Sequence, residues 1–379
     1  MAGDLWVERM AAATGATGLA ERLGRPGWGP YLLFGAVWTV DVPVLSTIRY
    51  LRAGYHPILV NPGVALVPIV LLVALWSVLA LRARFEDART ALADCTDGRD
   101  VADDGSPLDR LLDAWDRRVD RWVADTDDPE AWRLIPTRLR AALFVVALVV
   151  HVAWVFGARG NPEMLLAREG VIVGAAKFGV LIPFFYFPVV VEFVSVVLAV
   201  HLLVPSLVRC GGRVDFEDPL GYGGLRPVGD LVEASATGYF VVLVLYAASV
   251  AIGTLTDPTI PEPGLVPSAL ITAGTAGGLV LFFGPMFSLH RFMSQQKEDR
   301  LEEIRREASK GGGGDAVFPN LGPEEDDYLD EYTRHYMNLR RVSEMREFPV
   351  SYQRLSKVLG VAALPSLTEV VASYLLRLL

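Results

Sequence analysis

Seven blocks of apolar residues interrupt a polar chain, at about 31–48, 63–82, 139–157, 170–208, 229–253, 266–289 and 355–379. A helix needs roughly 20 apolar residues to cross about 30 Å of hydrocarbon, and the blocks lie near or above that length. Two polar stretches between them carry helical periodicity. In 106–123, Ser106 can cap a helix, Pro107 suits its first position and Asp109 completes a capping-box pattern. Leu108, Leu111, Leu112, Trp115, Val119, Trp122 and Val123 then fall on one face. In 324–347, Tyr328, Tyr332, Tyr336, Leu339 and Met345 form a stripe that ends at Phe348-Pro349. The sixth block does not stop at the bilayer. Its pattern runs on through His290 and the Arg/Glu-rich run Lys297–Lys310 to the flexible break Gly311–Gly314.

The block 170–208 is the ambiguous one. Its 39 residues would reach about 58 Å as a single helix, and the alternative is two spans broken at Pro183–Pro188. Charge decides. Lys and Arg gather in cytoplasmic loops. With one helix here, one side holds residues 1–30, 83–138, 209–228 and 290–354 with 29 basic residues, against five on the other. Splitting the block would place the basic 290–354 segment outside. Between Pro183 and Pro188 no Gly, Asn or Asp offers a turn. The expectation is therefore an all-α polytopic membrane protein. It has seven transmembrane helices, the N-terminus inside and the C-terminus outside.

Four regions follow. Residues 1–30 form a cytoplasmic lead-in and 31–289 the first six spans, with a cytoplasmic helical insert at 83–138. Residues 290–354 form a cytoplasmic extension and anchor-like helix, and 355–379 the seventh span. Residues 1–30 lack a basic start followed by an apolar core, so no signal peptide is expected there.

Composition narrows the class. The chain of 379 residues is 52% hydrophobic and 21% charged, with a mean hydropathy of +0.36. That excludes a purely soluble, disordered or collagenous chain. The net charge of −9 argues against nucleic acid as a partner. Four Lys against 31 Arg, and 24 Asp against 20 Glu, match the acidic surfaces of halophilic, archaeal proteins. Two cysteines, Cys95 and Cys210, make no disulfide framework.

Catalytic motifs are absent. No H-E-x-x-H, G-x-S-x-G or Walker loop occurs, and none of the five histidines stands at metal-ligand spacing to another His or Cys. No enzyme, metal or cofactor is expected. In 215–227 the glycines lack a following Lys-Ser/Thr, and Asp215, Glu217 and Asp218 would repel phosphate, so a capped turn is expected. A cation site on these three acids is the alternative.

The informative residues are the charges within apolar blocks: Asp41, Lys177, Glu192 and Glu369. Each costs a few kcal/mol to insert and needs a partner or water. Lys177 and Glu192 lie 15 residues apart on one block, about 22 Å along a helix, and cannot pair. Lys177 is expected to snorkel. Ser366, Glu369 and Ser373 share one face of the last block, which fits a cation pore wall in an oligomer or hydrogen-bonded helix packing. Trp154, Tyr186 and Tyr246 are candidates for an apolar ligand pocket. Tyr328, Tyr332, Tyr336 and Leu339 are candidates for an oligomer or partner interface.

Together the seven spans, the N-inside and C-outside orientation, the extended fourth and sixth helices and the cytoplasmic helix before the last span resemble the seven-transmembrane ion-channel superfamily of insect odorant and gustatory receptors. The architecture over about 30–379 carries the likeness. Ser373-Tyr374 and the following Leu-Leu match the Ser/Thr-Tyr and apolar part of the gustatory last-span motif, without its Gln-Phe. The resemblance implies a homotetramer in the cell membrane, anchored by cytoplasmic helices. It implies a cation pore lined by the last span and a small-molecule ligand bound among the outer halves of the others. The run Pro219–Leu225 also resembles a motif of uncharacterised prokaryotic membrane proteins and implies no function. A non-conducting receptor or scaffold and a secondary transporter remain as alternatives.

Overall fold

In the computed structural model the described residues are 5–54, 62–95, 137–153, 155, 170–209, 214–218, 220–256, 265–311, 325–348, 350 and 352–378. Among them the regular elements are all helical and no strand occurs. The chain opens with α1 (Trp6–Ala13) and α2 (Ala16–Arg22), followed by a 3₁₀ turn at Pro26–Trp28. Helix α3 (Gly29–Thr39) passes through a π-helical turn, Val40–Val44, into α4 (Leu45–Ala53). Then come α5 (Gly63–Cys95) and α6 (Thr137–Ala153). Helix α7 (Val171–Gly174) runs through a π-helical stretch, Ala175–Tyr186, into α8 (Phe187–Arg209). The chain continues with α9 (Arg226–Thr256), α10 (Leu265–Gly311), α11 (Glu325–Glu344) and α12 (Tyr352–Leu378).

Among the described residues five helical stretches are long and apolar enough to cross a membrane: Pro26–Arg52, Ala65–Phe85, Val171–His201, Arg226–Thr256 and Ser268–Glu307. That is the character of a membrane-embedded protein. They coincide with the first, second, fourth, fifth and sixth expected blocks. The third block corresponds to a shorter apolar helix, Arg140–Ala153, and the seventh to α12, which has 27 residues.

The ambiguous block is one helix. The junction residues Ala175 and Phe187 keep right-handed helical dihedrals, and Pro183 lies inside the π-helical stretch. Proline has no N–H to give the helical ladder. The wider π register accommodates that gap without ending the helix. Helix α10 likewise runs 47 residues, about 70 Å, well beyond the thickness of a bilayer.

Residues 5–30 are helical and pack on the bundle. Leu5, Val7 and Ala11 are buried; α1 packs on α3 and α8, and α2 on α3. The expected amphipathic helix at 106–123 lies outside the described residues.

One apolar core joins the helices. Leu75, Val78 and Leu81 of α5, Val196 and Val200 of α8, Phe240 of α9 and Phe282 and Met293 of α10 are all buried in it. Helix α9 packs most extensively on α5 and then on α12. Its contact with α10 depends on a small residue. A Cβ at Gly278 would sit 2.4 Å from Cε1 of Tyr239, so the Tyr239 ring lies this close to α10 only because the position is glycine.

Polar joints tie the segments at the α1 end of the bundle. Asp218 closes the 214–225 turn by accepting N–H bonds from Leu220, Tyr222 and Gly224 at 2.9, 2.9 and 3.0 Å. Burial pushes its carboxyl up. The bonds from Gly224, Leu220 and Tyr222 and the Arg226 charge outweigh burial and hold it below the usual carboxylate value. Asp215 accepts from Glu217 N–H at 2.8 Å. These carboxylates therefore work as turn formers, as expected. Arg346 N–H donates to Gly221 O at 2.9 Å, and its guanidinium lies 4.7 Å from the Tyr222 ring centre.

Lys297 on α10 donates to Met345 O at 3.0 Å and to Glu347 at 3.2 Å. Beside it, Ser294 donates to Glu347 at 3.2 Å, and His290 stacks on Phe348 with ring centres 4.1 Å apart. This joint fixes where α11 hands over to α12.

Candidate functional site

Among the described residues two polar sites lie within the apolar helices. The first forms where both π-helical stretches meet. Asp41 is in Val40–Val44 together with Pro43, and Lys177 and Tyr186 are in Ala175–Tyr186. Lys177 Nζ lies 3.1 Å from Asp41 Oδ1, and Tyr186 donates its hydroxyl to Asp41 Oδ2. Asp41 and Tyr186 are buried, while the Lys177 side chain keeps 25% exposure. Lys177 therefore turns inward to a carboxylate. This corrects the expectation of snorkelling: an intramembrane cation gains more from a charge partner across the helix pair than from reaching toward headgroups. Tyr186, expected in an apolar pocket, is instead the hydroxyl donor of this site. A carboxylate held between an ammonium and a phenol can exchange a proton or release the ammonium to a competing cation.

The second site is built on Glu192, whose side chain is fully buried. Its two oxygens accept the N–H groups of Trp6 and Val7 at 2.5 and 3.0 Å. Arg140 of α6 stands 3.3 Å from the same carboxylate and 4.6 Å from the centre of the Trp6 ring. Trp6 in turn meets Phe144 edge-on at 5.6 Å. Helix α1 has no capping side chain at its own start, where Leu5 is the N-cap residue. Glu192 supplies the cap from another helix and meets the positive end of the α1 dipole. Glu8 of α1 also pairs with Arg82 of α5. Along the α7–α8 helix Glu192 lies six residues, about 9 Å, beyond Tyr186 of the first site.

Arg140 and the α1 backbone were not singled out in the sequence. The available signal was Arg140 itself, a charge just inside an apolar block, which needed a partner as much as Glu192 did. His201 is buried on α8, and His151 Nε2 lies 3.0 Å from Phe178 O. Among the described residues no group of three or more His, Cys, Asp or Glu is placed to hold a metal.

The other candidates are dispersed. Ser366 is exposed on α12, and the side chains of Glu369 and Ser373 lie outside the described set. Tyr246 is 37% exposed on α9, and Trp154 lies outside the described residues. On α11, Tyr336 is 53% exposed and Leu339 partly buried; the side chains of Tyr328 and Tyr332 are outside the described set. Helix α12 packs one side on α9 and α10. Its Leu364, Leu367, Val370, Val371 and Tyr374 remain uncovered.

No family model, curated protein or solved structure matches the chain.

Proposed function

We propose that this chain is a seven-span protein of the cell membrane, N-terminus in the cytoplasm, that conducts cations as a homo-oligomer. In this reading α12 is the pore helix, with Ser366, Glu369 and Ser373 on the conducting face. The tetramer and a small-molecule gating ligand follow from the resemblance to insect chemoreceptors. The observation that carries the reading is the uncovered side of α12. Ser366, Leu367, Val370, Val371 and Tyr374 recur at helical spacing there and remain exposed within one chain. Further copies around an axis would cover the apolar positions and leave the polar ones toward the centre. The α10 extension and exposed Tyr336 and Met337 on α11 supply a cytoplasmic surface for assembly.

The test is conductance of the purified protein in planar bilayers, together with the mass and symmetry of the particle. Cation current that loses selectivity in Glu369→Gln supports the reading. A monomer without current overturns it.

A second reading, an ion-coupled secondary transporter, is favoured by the Asp41–Lys177–Tyr186 site. Irregular helices that hold ionisable groups are how transporters bind coupling ions. Asp41→Asn separates the two readings. It stops coupled uptake in a transporter and leaves current intact in a channel whose pore is α12.

A further inference from the structure

Outside both polar sites, a groove of about 750 Å³ runs between α5, α9 and α12. Its walls change character along its length. Toward the middle of the bundle it is lined by Val73, Trp76 and Ala80 of α5 and Val241 of α9. Trp76 is 59% exposed, so this part opens sideways toward whatever surrounds the apolar helices. At the α1 end the lining turns ionic. Arg354 holds both Asp230 and, at 3.2 Å, Glu233, and Arg226 stands 3.9 Å from Asp230. Those two carboxylates are thus already engaged.

Arg84 and Lys357 line the same end, and neither has a carboxylate within ion-pair distance among the described residues. Asp87 is the remaining acid. Among its described lining residues, four cations and three carboxylates leave one excess positive charge.

We infer that this groove binds a phospholipid, with its phosphate at Arg84 and Lys357 and an acyl chain along Val73, Trp76, Ala80 and Val241. Three features select this occupant. The excess charge matches one phosphodiester. The cationic end lies where α5, α9 and α12 leave the apolar zone, at headgroup depth. The apolar end is continuous with the bilayer, so a chain enters without crossing water. Basic pockets between membrane helices hold anionic headgroups on the same physical grounds. The volume falls within the range of ligand sites. The inference stands apart from conduction, since it uses neither α12's uncovered face nor the Asp41 site.

The experiment is native mass spectrometry of the full-length protein with three probes. They are phosphatidylglycerol, a diacylglycerol of the same chains and glycerol phosphate. The expected result is one phosphatidylglycerol retained per chain, with diacylglycerol and glycerol phosphate each held at least tenfold more weakly. Arg84→Gln/Lys357→Gln should lower phosphatidylglycerol retention at least tenfold without shifting the thermal midpoint, because neither side chain supports the fold. Ala80→Phe fills the apolar channel and should reduce lipid retention while leaving glycerol phosphate binding unchanged. Equal retention of phosphatidylglycerol by wild type and both variants overturns the inference. Equal retention of diacylglycerol reduces the groove to an apolar slot. Equal binding of glycerol phosphate makes it a free-anion site. Each of the last two results also overturns it.

Discussion

At the scale of single residues, the chain concentrates its costliest groups where they make more than one contact. Glu192 serves as helix cap, ion-pair partner and organiser of the Trp6–Arg140 contact. Glu192→Leu leaves Arg140 as a buried charge without this carboxylate and α1 without its cap. It is expected to destabilise the protein by about 3–5 kcal/mol. Glu192→Leu/Arg140→Met should recover much of the loss, because no unmatched charge remains. Denaturant unfolding in micelles measures both. Gly223 is a second sensitive residue. Its φ is +62°, and a Cβ there would lie 2.4 Å from Val214 Cγ1. Gly223→Ala is expected to cost about 1–3 kcal/mol, read as a lowered midpoint in the same experiment. The charged residues were legible in the sequence because a charge in an apolar block always needs a partner. Their partners were not. Asp41 and Tyr186 are 145 residues apart, and no periodicity connects them.

At the scale of elements, the long helices were legible because length, apolarity and the absence of turn residues all speak through the sequence. The π-helical stretches were not. Pro183 marked a possible break in the sequence, but whether a proline bends, breaks or widens a helix is decided by what packs beside it. The joint between α10 and the end of α11 makes a pH prediction. The bond from Lys297 holds the Glu347 carboxyl below its usual value; partial burial opposes this, and the Lys297 charge, the Ser294 bond and His290 reinforce it. A lowered carboxyl pKa contributes stability fully above its unfolded value, about 4.3. That stability is lost as pH falls through the lower folded value. Amides of 342–348 should therefore exchange hydrogen faster, relative to their intrinsic rates, at pH 3 than at pH 6. In Glu347→Gln, exchange should be fast at both.

At the scale of the whole molecule, the polar joints share one end. Glu8–Arg82, Glu192–Arg140, the Asp218 turn and the Lys297–Glu347 joint all gather around the α1 end of the apolar helices. The basic residues of the sequence crowd to the same side. In the proposed orientation, which rests on the positive-inside rule, that end faces the cytoplasm. Cysteines placed at the exposed positions Thr14 and Ser356 should then react with an impermeant maleimide only from the cytoplasmic side. Leu51→Cys, at a position 77% exposed near the far end of the first span, should react only from outside. The reverse pattern would invert the topology and place the Leu378 end of α12 in the cytoplasm.

The sequence by itself determined the helical class, the positions of the apolar stretches, the single helix at 171–209 and the need to satisfy Asp41, Lys177 and Glu192. Each of these rests on local physics: hydrocarbon thickness, turn chemistry and the cost of a charge in an apolar medium. Only the tertiary structure decided that Lys177 pairs with Asp41, that a distant carboxylate caps α1, and that α5, α9 and α12 enclose a groove with one ionic end. Those outcomes depend on which helix faces stand side by side. Pairing across 136 or 186 residues is set by packing of the whole core, and no local pattern encodes it.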